Sequence, residues 1–182
     1  MRFTSTTECE EWLRSQGVDP EAPSPDPGER NVVKLFFEED RHRSFYLAKT
    51  LVSWLGNFES CLLWINEYGI WPSSEDLHLY YRLRTSYGDG RRLREAPGHL
   101  FSGDEKADLV SCLNLAIQFG WGGHIVPKPA ATRIVFSHDS WALVESETML
   151  AAIVKEIEEM SLSRSALCAP GSRAKRKRVR KS

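Results

Sequence analysis

Cysteine is sparse and unpatterned in this sequence. Its four cysteines, Cys9, Cys61, Cys112 and Cys168, form no CxxC and no Cys/His pair at zinc-finger spacing, which argues against a structural zinc. Cys61 and Cys112 sit among apolar residues and read as small packed hydrophobes. Neither adjoins a base or a helix start that would lower its pKa, and GxSxG is missing, so no acyl-transfer nucleophile stands out. The phosphate-loop patterns GxGxxG and GxxxxGK[ST] are missing too. Gly120-Trp121-Gly122-Gly123 follows a helical pattern and precedes a strand, the reverse of a phosphate loop, and reads as a helix stop and tight turn. His42, His78, His99, His124 and His138 make neither HxxxH nor HExxH, so no local metal site is encoded. No run approaches the ~18 apolar residues that span a bilayer. The opening MRFTSTTECEEW lacks the apolar stretch of a secretory signal. No internal repeat is visible. The expectation is a reduced, soluble, cytoplasmic protein with no metal and no cofactor.

The chain does carry a strong division of charge. Residues 172–182, SRAKRKRVRKS, hold seven of the 24 Lys/Arg and no acid, which leaves 17 basic against 25 acidic residues in the remainder, a net −8. An acidic body with a basic tail reads differently from a neutral protein. Cations in such a run bind polyanions through counterion release, with little sequence preference. Lys175, Arg176, Lys177, Arg178, Arg180 and Lys181 are therefore candidate nucleic-acid contacts, set against a solubilising terminus with no dedicated partner.

At 182 residues, 41% hydrophobic and 27% charged, the chain suits one domain over 1–160, with a disordered basic tail over 161–182. Residues 1–19 read as a short strand or arm and a helix capped at Thr6 or Thr7, anchored by Trp12 and Leu13 and ended by Gly17. Four prolines and a glycine make 20–30 an irregular surface loop. A buried strand over 31–38, a helix over 43–55 and a buried strand over 61–66 form a βαβ signal, which a right-handed crossover makes parallel. Ser73 and Asp76 have capping-box spacing ahead of a helix over 74–87, where Leu79, Tyr80, Leu83 and Tyr87 share a face. Residues 91–101 read as loop, and 105–119 as the clearest helix. A hairpin joins strands 122–126 and 132–136, and a C-terminal helix starts at Ser137-His138-Asp139. The expected fold is α/β: a small mixed sheet of about four strands with packed helices.

Within that body the strongest polar signal is Arg82, Arg84, Arg91, Arg92 and Arg94, interleaved with Tyr80, Tyr81 and Tyr87. Arginine beside aromatic faces clamps phosphates or stacks bases. A solvated face paired with the surplus acids is the plainer alternative. Trp71 with the tyrosines makes a hot spot if exposed, and ordinary core if buried. His99 in the Pro-Gly loop, His124 on a strand and His138 with Asp139 at a strand end could converge, since ligand crevices form at strand ends. His99, His138 and Asp139 are the candidate catalytic residues among them, though Ser137-His138-Asp139 also reads as a helix cap.

Residues 69–101 (GIWPSSEDLHLYYRLRTSYGDGRRLREAPGHLF) and 136–141 (FSHDSW) resemble an uncharacterised family of bacterial proteins. The resemblance implies a bacterial cytosolic protein and assigns no functional residue. The reading that follows is a non-enzymatic binding protein, its acidic body engaging a protein partner and its tail a polyanion, nucleic acid foremost. The alternatives are an enzyme or small-ligand binder using His99, His138, Asp139 and Arg82 or Arg84, and an immunity-type inhibitor in which an acidic body blocks a basic toxin.

Overall fold

A computed structural model describes residues 1–21, 31–37, 41–68, 77–146, 150–159 and 163–164. Thirteen elements follow in chain order: β1 (Arg2–Thr4), α1 (Thr6–Ser15), β2 (Val32–Phe36), α2 (Arg41–Trp54), β3 (Ser60–Glu67), α3 (Leu77–Ser86), β4 (Gly98–Ser102), α4 (Lys106–Gln118), β5 (Gly122–Lys128), β6 (Thr132–Ser137), β7 (Trp141–Ser146), α5 (Leu150–Glu159) and β8 (Ser163–Arg164). The mixed α/β class is as expected. The sheet is larger than expected: eight strands in the order β1-β4-β3-β5-β6-β7-β2-β8. Every neighbouring pair is antiparallel.

The predicted βαβ unit is half right. Alternating pairings make β2 and β3 point the same way, but β5, β6 and β7 stand between them. The crossover through α2 therefore joins strands that never pair. β1 stands where the sequence suggests a short strand or arm. Two further strands were hidden from pattern reading. β4 begins at a Pro-Gly pair that looks like a turn. β7 follows Ser137-His138-Asp139, which looks like a helix start. The 122–126/132–136 hairpin is present as β5–β6. The helix at 105–119 is present as α4, and α3 lies within the helix expected over 74–87. The Ser73/Asp76 spacing, Trp71 and the tail lie outside the described residues, except Ser163–Arg164, which form β8.

Strand alternation sends side chains to two faces. On one face Val33, Leu35, Cys61, Leu63, Ile65, Phe101, Ile125, Ile134, Phe136, Ala142 and Val144 meet α2, α4, Tyr80 of α3 and Ile153 of α5 in one large core. Trp54 Nε1 of α2 donates to Glu156 of α5 at 2.6 Å across that layer. On the other face α1 lays Cys9 and Leu13 over Leu62, Trp64 and Val126. Ser5, one residue before the expected threonines, caps α1 through a reciprocal box with Glu8. Backbone and side-chain hydrogen bonds from Ser5 hold the Glu8 carboxyl below its ordinary range. Gly98 lets α1 and β1 approach, since a Cβ there would overlap Thr4 Oγ1 and Cys9 Sγ. A smaller cluster, Val32, Val135 and Leu143 with Trp141 against it, occupies the far half of this second face. No helix among the described residues is long and apolar enough to cross a membrane.

Candidate binding site

The polar group expected around Arg82–Arg94 divides sharply on folding. Arg84 and His99 are 0% exposed, and Tyr80 is buried with them, whereas Arg82, Arg91, Arg92 and Arg94 are exposed. Residues 80 and 84 are one helical turn apart, so α3 presents Tyr80 and Arg84 together to the strand carrying His99. The hydrogen bonds run in one direction. Arg84 Nη1 donates to Tyr80 Oη at 2.8 Å and to the Ala96 carbonyl at 2.9 Å. His99 Nδ1 faces the Pro97 carbonyl at 3.1 Å, an acceptor only, so that nitrogen carries the proton. Nε2 is then an acceptor, and Tyr80 O–H donates to it at 2.7 Å. Burial, with the Arg84 charge adding to it, pushes the His99 pKa down to about 3, consistent with this neutral tautomer. Burial pushes the Tyr80 phenol upward.

The Arg84 charge is balanced by Asp89, whose Oδ1 lies 3.3 Å from Nη2. Burial alone would raise the Asp89 pKa, but hydrogen bonds from Arg91 and Arg84 outweigh it and hold the carboxyl low. Arg91 also donates to the Phe3 carbonyl at 3.0 Å, and the Phe3 ring lies 4.2 Å under the Arg84 guanidinium carbon. Arg84 Nε is buried without a partner. This network ties β1, α3, the 89–97 loop and β4 into one piece. Its inner part, Arg84, Tyr80 and His99, ends on backbone carbonyls and is sealed from solvent, so it positions the fold and offers no open end to a substrate.

His138 and Asp139 lie elsewhere. They form the three-residue turn of the β6–β7 hairpin, between the paired residues Ser137 and Trp141, and do not start a helix. Ser140 closes the turn in the left-handed region, at φ 60°. His138 Nδ1 lies 3.1 Å from Glu67 and Nε2 lies 3.3 Å from Asp139. The imidazolium donates to both carboxylates at once, and the neutral ring to only one. His99 pairs across the sheet with Leu63, four residues along β3 from Glu67, roughly 13 Å at a strand's rise. The candidate catalytic residues thus fall into two separate hydrogen-bonded groups. His124 pairs through Nε2 with Asn66 at 3.0 Å, and burial pushes its pKa down to about 4. Among the described residues no three His, Cys, Asp or Glu are grouped to hold a metal ion.

A third constellation escaped sequence reading. Lys34 of β2 places Nζ 5.0 Å from the Phe36 ring centre and 4.4 Å from that of Trp141 on β7. Phe36 and Trp141 are direct cross-strand partners, so the two rings and the cation share one patch of the second face. Phe36 is 39% exposed, while Trp141 and Lys34 are half-buried. The alternation Val32, Lys34, Phe36 was the available signal, masked by reading the whole strand as buried.

No family model, curated protein or solved structure matches this chain. Lys34 and the two rings are the described polar-aromatic group that is at once organised and open to solvent. The Arg84–Tyr80–His99 network is organised but closed.

Proposed function

We propose that this is a non-enzymatic, cytosolic nucleic-acid-binding protein whose cationic run grips the phosphate backbone. The observation that carries the reading is the charge split, seven cations in 172–182 against a net −8 elsewhere. Supporting it is where the chain leaves the sheet. β8 pairs Arg164 with Leu35 and Ser163 with Phe36, so the run departs from the β2 edge. Residue 172 is eight residues beyond Arg164, at most about 29 Å away even in a fully extended chain. The tail is thereby tethered next to a specific edge of the body, which raises its effective concentration there.

Binding of the full chain to a labelled oligonucleotide, titrated at several salt concentrations, tests this. Seven neutralised phosphates give a log–log slope of about −5 for a single strand, an affinity loss of about a thousandfold between 50 and 200 mM salt. Replacing the seven tail cations with Gln removes that slope. An unchanged slope in the variant, or no binding by the parent chain, refutes the reading.

A protein partner for the acidic body is the second reading, favoured by one observation. Phe45 and Tyr46 of α2 are 48% and 65% exposed and stack edge-to-face at 6.0 Å. Such rings are hot-spot chemistry. The immunity-type alternative belongs here and shares its test: a captured partner lost on Phe45→Ala with Tyr46→Ala supports it, and an unaltered capture counts against it. Weighing against the catalytic alternative is the separation of His99 and Arg84 from His138 and Asp139.

A further inference from the structure

The strongest unassigned feature is the Lys34–Phe36–Trp141 patch. Register places it within the second face. Lys34 pairs with Leu143, which pairs with Val135, and Phe36 pairs with Trp141, which pairs with Ser137. Lys34 and the Trp141 ring lie beside the satellite cluster Val32, Val135 and Leu143. One row further from Phe36, Val32 pairs with Glu145, which pairs with Arg133 and forms an ion pair with it. The patch therefore has two aromatic rings on paired strands, one cation within reach of both, and a second cation, paired to Glu145, two strands away on β6.

We infer that this patch is a stacking platform for the bases of a single-stranded nucleic acid. The inference rests on the nucleic-acid reading above and names the substrate class. Aromatic rings on an open sheet accept bases of any identity, because every base has a π-face, and interleaved cations take the intervening phosphates. A duplex hides its base faces by stacking them on one another, so the same patch gains nothing from double-stranded DNA. Lys34 holds both rings through its charge, which keeps the platform formed before a base arrives. The adjoining strand β8 hands the chain on to the cationic run, so backbone grip and base stacking come from neighbouring places on one molecule. Charge complementarity selects this occupant over an acidic peptide. A peptide carboxylate would pair with Lys34 but leave the ring surface not covered by Lys34 without a stacking partner.

The test uses the full chain, a labelled oligo-dT of about 15 nucleotides, a duplex of equal length, and the double variant Phe36→Leu with Trp141→Leu. Leucine keeps apolar cover over Val135 and Leu143 while removing the π-faces. The parent chain is expected to prefer the single strand by about tenfold or more, the worth of one to two stacked bases. The double variant loses that preference and keeps its salt-dependent duplex binding. A double variant with the parent's preference overturns the platform and leaves the tail reading standing. Loss of all binding on neutralising the tail, with no strand preference in the parent, does the same. No binding of either nucleic acid by the parent chain overturns both. Should the variant fail to fold, ultraviolet cross-linking of the parent chain decides: adducts at Phe36 or Trp141 support the platform, and adducts confined to 172–182 overturn it.

Discussion

Acid should weaken this protein earlier than its carboxylates alone would dictate, because two buried histidines stay neutral in the fold. Burial drives His99 down to about 3 and His124 down to about 4, against about 6.5 in an unfolded chain. Between the folded and unfolded values the unfolded chain binds protons that the native state refuses. Stability therefore rises with pH across that window, is complete above about 6.5, and drains as pH falls toward 4 and then 3. At pH 5 each histidine forfeits about 2 kcal/mol, about 4 kcal/mol together, at 1.36 kcal/mol per unit of pH below 6.5. Glu8, Asp89 and Glu105 are held below the ordinary carboxylate range and leave this interval to the histidines. A total stability of about 5–15 kcal/mol makes the loss large. The assay is urea unfolding followed by tryptophan emission at pH 7, 6 and 5. With a slope of about 2 kcal/mol per molar urea, the midpoint should fall by roughly 2 M. His99→Gln is expected to lower stability at pH 7 and to halve the pH dependence. A midpoint unchanged between pH 7 and 5 refutes the reasoning, since it would require both imidazoles to titrate alike in the two states.

Tyr80→Phe removes the hydroxyl between Arg84 and His99 and leaves His99 Nε2 buried without a donor, so thermal or urea unfolding should show a loss of about 1–3 kcal/mol. Ser140→Gly relieves a non-glycine residue at φ 60° in the β6–β7 turn and should raise stability by about 1 kcal/mol in the same assay. Gly98→Ala forces a methyl onto Thr4 and Cys9 and should cost about 1–3 kcal/mol, with the loss concentrated in hydrogen-exchange protection of β1 and α1. Cys9, Cys61 and Cys112 are buried, and burial raises each thiol's pKa, Cys9 to about 11 and Cys112 to about 12. A thiol reagent at pH 8 should therefore modify at most Cys168 in the native protein and all four cysteines in urea.

Length and periodicity made the long elements legible. α4 and β3 show continuous apolar patterns that nothing else explains, and both stand where the sequence places them. β4 was not legible because Gly98 looks like punctuation, whereas its role is to admit Thr4 and Cys9 from elements about ninety residues away. β7 was hidden by a Ser-His-Asp triplet whose helix-cap chemistry equally makes a hairpin turn. Pattern also cannot reveal insertion. Nothing in residues 31–66 signals that three later strands will enter between β2 and β3. The site suffered from the same distance problem. Arg84 is buried because Phe3, Asp89, Ala96 and Tyr80 surround it, and of these only Tyr80 and Asp89 are near in sequence. Lys34 and Trp141, 107 residues apart, meet only through strand register.

The sheet order bears on how this molecule avoids its own kind. Its outermost strands are the two shortest, three residues in β1 and two in β8. Short borders offer little template for another chain. β2, immediately inside β8, reads VVKLF, a strongly β-forming run with a single charge. Removing the chain from 163 onward would bare the backbone of Leu35 and Phe36 and turn a guarded border into an adhesive one. Truncations meant to isolate the cationic run should therefore cut after Arg164. Self-association seen with a shorter body would report that exposed border and not the loss of a nucleic-acid contact.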